Sequence, residues 1–284
     1  MNKKNLLIIL ILSIFLPRFI YSYEEKYTKI DGQKIFFITA GEDDKTPLLI
    51  IHGLGMSSGF WINNIDILAG KRRVYALDLP GFGHSEKNKK SYSVKSYTVL
   101  INKFLAQQKI SKVILLGHSI GGAVSVLYTA AYPEQVEKLI LADSEGVKNV
   151  KNDSFLNLVK IPIIGDILFI MRDRDMIRKS LQTDIFYNPH FVTELFVQEV
   201  SHGSRDAFLS LLRNSIDLTD ELKKIQCQTL LIWGENDKLY PVGNAHVFNE
   251  KIKNTYLIVF SESGTCSNIE KFDAFNEAVI KFME

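Results

Sequence analysis

The sequence predicts an α/β domain with a mainly parallel central sheet and a helical segment inserted late in the chain. Short apolar runs alternate with amphipathic stretches between residues 34 and 144. From Leu48 onward these runs are continuous, which is typical of strands that are buried on both faces. The alternation stops after Ser144 and resumes at QTLLIWG, residues 228–234. These three observations favour crossover helices between parallel strands, interrupted once.

Composition and charge limit the classes of function. The chain has 284 residues, of which 46% are hydrophobic, enough for one large domain with a buried core. Lys and Arg total 34 against 32 Asp and Glu, and Lys3, Lys4 and Arg18 belong to the apolar leader described next. Without them no basic surplus remains, so we expect no nucleic-acid partner.

The leader at residues 1–22, MNKKNLLIILILSIFLPRFIYS, has the layout of an export signal. Two lysines precede an apolar run from Leu6 to Leu16, and Pro17 and Arg18 follow it. A transmembrane helix needs about 20 apolar residues, so this run is too short to span. We expect an exported protein, either released to the periplasm or the medium, or associated with the membrane through an uncleaved N-terminal segment.

The individual elements follow from apolar runs bounded by turn residues and from amphipathic periodicity. The predicted strands are, in order, KIFFITAG, PLLIIHG, RVYALDLPG, KVILLGHS, KLILADS, QTLLIWG and TYLIVF. The predicted helices outside the insertion are SVKSYTVLINKFLAQQ, AVSVLYTAAYP, NAHVFNEKI and IEKFDAFNEAVIKFM.

The interrupting segment is predicted to be a helical cap. Residues 145–226 show helical periodicity, as in FVTELFVQEV and DAFLSLLRNSI, and no clear buried strand. The core is therefore expected to consist of residues 23–144 and 227–284. The apolar cap stretch FLNLVKIPIIGDILFIM could form an apolar lid over the site or a membrane-facing surface. We favour the interpretation that it packs into the core.

A nucleophile elbow is predicted at Gly117-His118-Ser119-Ile120-Gly121, which fits G-x-S-x-G. It follows the strand KVILL and opens a helix, and this sharp turn exposes a strained serine hydroxyl. A glycine-rich phosphate turn is the alternative, but it predicts a lysine or G-x-G-x-x-G here, and neither is present.

Acyl transfer also needs two N–H donors for a developing oxyanion. The backbone N–H groups of Leu54, in the loop His52-Gly53-Leu54-Gly55, and of Ile120 are the natural pair. For His52 we favour a role in ordering this loop over proton transfer.

Four motifs, HGLG, DLPGFGHS, GHSIGG and WGENDKLYP, occur in this order. With them the chain resembles the α/β-hydrolase superfamily, in its capped branch, over roughly residues 28–284. The resemblance implies a triad acid after LLIWG, where Asp237 stands. It also implies a histidine base after the last strand, and Thr265 occupies that position, between the matching Gly264 and Glu270.

The missing histidine makes the base the open question. Loss of a triad histidine costs on the order of 10⁶ in kcat, so activity is expected to be impaired unless another base reaches Ser119. Among the six histidines His202, in EVSHGSRD, is the best candidate in the cap. Asp143, which ends KLILAD, is an alternative acid to Asp237.

Two functional hypotheses follow. The first is a serine hydrolase that cleaves an ester, amide or activated carbon–carbon bond of a small, largely apolar substrate. The second is a non-catalytic relative that uses the same pocket to bind a ligand or partner. No cofactor or metal is expected. The two cysteines, Cys227 and Cys266, are expected to be unpaired, because the strand order puts them at opposite ends of the sheet.

Overall fold

The computed structural model describes residues 23–42, 45–88, 92–147 and 158–284. The predicted leader at residues 1–22 lies outside these ranges, so export and membrane association stay predictions. Across the described ranges, the apolar helices are all too short to cross a bilayer.

A twisted sheet of eight strands forms the centre of the described chain, and it confirms the predicted α/β fold class. The strands lie in the order β1-β2-β4-β3-β5-β6-β7-β8. The first two pair antiparallel, β2 also pairs antiparallel with β4, and the others pair parallel. Their bounds are Glu24–Ile30 (β1), Gln33–Ala40 (β2), Leu48–Ile51 (β3), Val74–Leu77 (β4), Val113–His118 (β5), Val136–Ala142 (β6), Gln228–Gly234 (β7) and Thr255–Phe260 (β8).

Helices cover both faces of the sheet, which explains the continuous apolar runs. In β3, Leu49 and Ile51 pack with the helices Val94–Gln107 and Ile120–Ala131 on one face of the sheet. Leu48 and Ile50 pack with the helices Ile62–Ala69 and Phe272–Met283 on the other face. The helices are Ile62–Ala69 (α1), Val94–Gln107 (α2), Ile120–Ala131 (α3), Ile164–Ile170 (α4), Arg174–Ser180 (α5), Glu194–Ser201 (α6), Arg205–Arg213 (α7), Thr219–Leu222 (α8), Gly243–Lys251 (α9), Ser267–Glu270 (α10) and Phe272–Met283 (α11).

Two elements were not predicted from the sequence. Strand β1 is mostly exposed, so it lacks the buried run by which the other strands were recognised. Helix α1 was overlooked between the first two motifs, although it buries Ile65 and Leu68.

The described part of the segment between β6 and β7 consists of short helices joined by loops, without a strand, and it covers the carboxyl edge of the sheet. Phe208 of α7 lies against the loop that contains Gly55, and Ala207 lies against Gly81. Ile185, after α5, accepts a hydrogen bond of 2.8 Å from the amide of Thr265. The segment is therefore positioned over the motifs, and its exact bounds at residues 145–226 stay a prediction.

The expectation that the apolar cap stretch packs into the core is wrong for much of its described part. Ile163 is 73% exposed, Ile170 is 70% exposed and Met171 is 66% exposed. Only Val159 and Gly165 are buried in the part that follows residue 157. Short α4 therefore presents apolar side chains outward.

Cys227 precedes β7 and Cys266 follows β8. Both thiols are free, and burial raises the pKa of Cys227 to about 11 and that of Cys266 well above its usual value.

The glycine at the start of α3 allows that helix to touch β3. A Cβ at Gly121 would lie 2.2 Å from the carbonyl oxygen of Ile51, whereas a Cβ at Gly243 would meet nothing within 4 Å. We expect Gly121→Ala to lower the free energy of unfolding by about 1–3 kcal/mol because backbone must move, and Gly243→Ala to leave it unchanged or raise it by up to about 1 kcal/mol. Urea unfolding of both variants measures this, and equal effects would contradict the close contact.

Candidate active site

Ser119 occupies a strained turn between β5 and α3. Its φ of 53° and ψ of −122° lie outside the regions that non-glycine residues normally adopt. The turn is held by the end of β6 and by the loop that follows it: the amide of Ser119 donates to Ala142 O at 3.1 Å, and its carbonyl accepts from Glu145 N at 3.0 Å. Ser119 is buried, with only 4% of the residue exposed.

Glycines let the neighbouring backbone approach this turn. A Cβ at Gly53 would lie 3.0 Å from Ser119 Cβ and 2.7 Å from His118 Nδ1. A Cβ at Gly117 would lie 2.4 Å from Gly121 O. The HGLG loop therefore touches the serine turn only because these positions carry no side chain.

The two amides predicted to bind an oxyanion are available. Within the described ranges, neither the N–H of Leu54 nor that of Ile120 donates a hydrogen bond to a protein acceptor. Ile120 N is the first amide of α3, and Leu54 follows the glycine that touches Ser119. Unpaired amides beside a serine hydroxyl are what stabilisation of an oxyanion requires.

His52 orders the loop, as its sequence context predicted. Its Nδ1 donates to Gly53 O at 2.8 Å and its Nε2 accepts from Leu79 N at 2.9 Å. Both ring nitrogens are thus occupied, and burial lowers the pKa of His52. The ring links β3 to the loop after β4 and has no free nitrogen for proton transfer.

Asp237 and Thr265 are brought together at the ends of β7 and β8. The Thr265 hydroxyl donates to Asp237 Oδ1 at 2.7 Å, and the same oxygen accepts from the amides of Leu239 and Tyr240 at 2.8 and 2.9 Å. Asp237 Oδ2 has no hydrogen-bond partner among the described residues. Burial raises the pKa of Asp237 to about 7, although these hydrogen bonds lower it. The hydroxyl of Thr265 is therefore bonded to the acid.

The backbone of Thr265 is fixed on both sides. Its amide donates to Ile185 O at 2.8 Å, and its carbonyl accepts from His118 Nε2 at 2.7 Å. Burial lowers the pKa of His118 to about 4, so the ring is neutral at pH 7 and donates through Nε2. His118 is thus directed to the backbone of residue 265.

Glu270 binds the loop after β8 that carries Thr265. Its carboxylate accepts from Gly264 N at 2.6 Å and from Asn188 N at 2.8 Å. One side chain thereby connects the loop after β8 to the helical segment. Its role in this structure is to bind two backbone amides.

Asp143, the alternative acid, is directed elsewhere. It accepts from Gly234 N at 2.8 Å and from the Ser267 hydroxyl at 2.7 Å. It is fully buried, and burial together with nearby Asp237 raises its pKa well above the usual range. Asp143 therefore links the ends of β6 and β7 to the start of α10, whereas Asp237 is the acid that contacts residue 265.

The structure places His202 at the C-terminal end of α6 with an exposed side chain. The hydroxyl of Ser119 instead lies 3.1 Å from Tyr240 Oη, and Tyr240 donates to Glu145 Oε2 at 3.3 Å. Sequence reasoning missed both residues. Tyr240 stands inside the WGENDKLYP motif, and Glu145 follows a strand at the carboxyl edge, where ligands of open α/β sheets bind.

Comparisons with known proteins show the family of the chain. The family profile described as alpha/beta hydrolase fold matches residues 46–164. A 2-hydroxy-6-oxononadienedioate/2-hydroxy-6-oxononatrienedioate hydrolase of Escherichia coli K12 is 30% identical over 268 residues, which cover 88% of this chain and 91% of that protein.

Solved structures share the fold. A bacterial membrane phospholipase A aligns with a TM-score of 0.80 at 24% identity, covering 98% of this chain and 96% of that one. A meta-cleavage product hydrolase from Pseudomonas fluorescens IP01 aligns with a TM-score of 0.78 at 23% identity, covering 91% and 97%. A bromoperoxidase from Bacillus anthracis aligns with a TM-score of 0.81 at 21% identity, covering 92% and 99%.

The raised pKa of Asp143 makes stability depend on pH. The folded chain holds this proton at pH values where the unfolded chain has released it, so this contribution to stability is lost as pH rises from about 4 towards the folded pKa. Asn cannot ionise, it accepts from Gly234 N equally well, and it tolerates the left-handed φ of 46° at this position.

We therefore expect Asp143→Asn to be more stable than the parent at pH 8, and this advantage to shrink at pH 5. Urea unfolding at both pH values measures it. Asp273→Asn, at an exposed position of α11, is the control. An advantage of Asp143→Asn that is the same at both pH values would contradict a buried, protonated Asp143.

Proposed function

This chain belongs to the α/β-hydrolase superfamily, and we propose that it is a serine hydrolase with Ser119 as its nucleophile. The observation that carries the proposal is the strained Ser119 turn, with its φ of 53°, flanked by the unpaired amides of Leu54 and Ile120. Strain of this kind persists where a function requires it. A serine in such a turn, with two unpaired amides nearby in the chain fold, is the arrangement that stabilisation of a tetrahedral intermediate requires.

In this mechanism Ser119 Oγ attacks the carbonyl carbon of the substrate, and the amides of Leu54 and Ile120 bind the resulting oxyanion. Asp237 occupies the position of the triad acid. Its hydrogen bond to Thr265 takes the place of the bond that would orient an imidazole.

The Thr265 side chain limits the rate. A threonine hydroxyl cannot take a proton from serine at neutral pH, and the Thr265 hydroxyl is already bonded to Asp237. We propose that the enzyme is slower than a relative with an intact triad, because removing the base alone costs about as much as removing all three members of a triad.

The substrate is proposed to be small and largely apolar, with an ester, amide or activated carbon–carbon bond. The cap residues nearest the HGLG loop support this, because the Phe208 ring and Val200 lie 3.5 and 3.7 Å from a Cβ placed at Gly55. The Escherichia coli relative is named for hydrolysis of a 2-hydroxy-6-oxo dienedioate. A carbon–carbon bond next to a ketone is therefore a reasonable candidate beside esters.

A non-catalytic binding protein is the second candidate. The specific observation in its favour is the 2.7 Å bond from Thr265 to Asp237, which satisfies the acid without a base. The binding hypothesis predicts an inert Ser119 hydroxyl, and this separates the two candidates.

Fluorophosphonate labelling tests the proposed function, because the probe modifies an activated serine. We expect slow labelling of the parent protein, none of Ser119→Ala, and labelling of Thr265→His faster by on the order of 100-fold, since an imidazole bonded to Asp237 restores the base. Intact mass spectrometry over time gives the rates.

Thr265→Asn is the matched control, because it adds a side chain of intermediate size that cannot act as a base. Labelling of Thr265→Asn at the rate of Thr265→His would show that added volume, and not an imidazole, causes the change. An unlabelled parent together with an unlabelled, folded Thr265→His would contradict a nucleophilic Ser119 and favour the binding protein.

A further inference from the structure

We propose that Tyr240 and Glu145 replace the missing histidine: Tyr240 takes the proton of Ser119 while passing its own proton to Glu145. This inference rests on the proposed function, because it requires Ser119 to be the nucleophile. It assigns a base to a site in which Thr265, at the usual position of the base, cannot accept a proton.

The direction of the hydrogen bonds is the first argument. Tyr240 has one hydroxyl proton, and it donates this proton to Glu145 Oε2 at 3.3 Å. Its remaining interaction, 3.1 Å from Ser119 Oγ, must then be as an acceptor, so the Ser119 hydroxyl is the donor. This arrangement aligns both protons along one path from Ser119 to Glu145. The two distances are longer than usual O–H···O bonds, as catalytic contacts without substrate often are.

The backbone holds this path in place, which is the second argument. Glu145 N donates to Ser119 O at 3.0 Å, so the carboxylate is attached directly to the serine turn. Tyr240 N donates to Asp237 Oδ1 at 2.9 Å, and Tyr240 O accepts from the indole of Trp233 at 2.7 Å. The ring of Tyr240 therefore reaches the Ser119 hydroxyl from the loop that carries Asp237.

The charges around the path suit a base that works near neutral pH. Burial raises the pKa of Glu145 to about 7, while the Tyr240 hydroxyl and Lys160 lower it. Burial and nearby Glu145 and Asp237 raise the pKa of Tyr240 well above 10, so Tyr240 stays neutral and acts only as a relay. An acceptor whose pKa lies near the working pH is the most effective general base.

The proton balance closes in each half of the reaction. As the Ser119 Oγ–C bond forms, the serine proton moves to Tyr240 and the tyrosine proton moves to Glu145. When the bond to the leaving group breaks, the leaving group takes a proton from Tyr240, which is refilled from Glu145. In the second half water attacks the acyl carbon, its proton follows the same path, and Ser119 Oγ recovers a proton as its bond to carbon breaks.

The pH dependence of fluorophosphonate labelling tests the relay. We expect the rate constant of the parent to rise with pH through an apparent pKa near 7, as Glu145 loses its proton. Tyr240→Phe and Glu145→Gln should each lower the rate at pH 8 on the order of 100-fold, and the double variant should lose little more. In both single variants the rise near pH 7 should disappear.

Two control substitutions make the same chemical changes at positions outside the relay. Tyr128→Phe removes a hydroxyl that bonds Gln135, and Glu137→Gln alters a carboxylate that bonds Thr46. Both should label like the parent. In a Thr265→His background, where an imidazole takes the proton, Tyr240→Phe and Glu145→Gln should cost less than about threefold, because the relay is no longer used.

The labelling rates separate the relay from the proposed function. A parent that labels at Ser119, with Tyr240→Phe and Glu145→Gln within about threefold of it and the same pH profile, would overturn the relay and leave the proposed function standing. A parent as inert as Ser119→Ala at every pH would overturn the relay, and an unlabelled, folded Thr265→His would then remove the proposed function as well. Equal losses in the parent and Thr265→His backgrounds would assign Tyr240 and Glu145 a structural role.

Discussion

The backbone of Ser119 is the constraint on which the site depends. Its left-handed φ is unfavourable by on the order of 1–3 kcal/mol, and two hydrogen bonds, one to the last residue of β6 and one from the loop after it, hold it there. One of them comes from the amide of Glu145. The same interaction that stabilises the strained turn therefore also sets a carboxylate beside it. The glycines at positions 53, 117 and 121 are a consequence of this turn, since any side chain there would collide with it or with its neighbours.

Three carboxyl groups, those of buried Asp143 and Asp237 and of partly buried Glu145, lie on the same edge of the sheet and have separate partners. Asp143 binds the start of α10, and Asp237 binds Thr265 and two amides of its own loop. Glu145 is the one whose hydrogen bond leads, through Tyr240, to the serine hydroxyl. Burial raises the pKa of all three, and in the proposed relay Glu145 is the one that receives a proton.

The strands and the turn at Ser119 could be predicted from the sequence, because each is specified by residues that are close together in the chain. Continuous apolar runs identify strands covered on both faces, and Gly-x-Ser-x-Gly between a strand and a helix identifies the turn at Ser119. The contact between Glu145 and Tyr240 has no local pattern. It arises because β6 and β7 are neighbours in the sheet, so loops 95 residues apart meet at its edge. The exposed face of α4 could not be predicted either, because an apolar run by itself does not show which of its side chains other parts of the molecule will cover.

The main chain at residue 265 has a consequence for how such a site can change over evolutionary time. Its N–H and C=O are both bonded to other parts of the molecule, Ile185 and His118, and Gly264 before it is fixed by Glu270. None of these bonds involves the side chain of residue 265. The backbone at residue 265 is therefore held independently of its side chain, so a substitution at this position acts mainly on what Asp237 contacts.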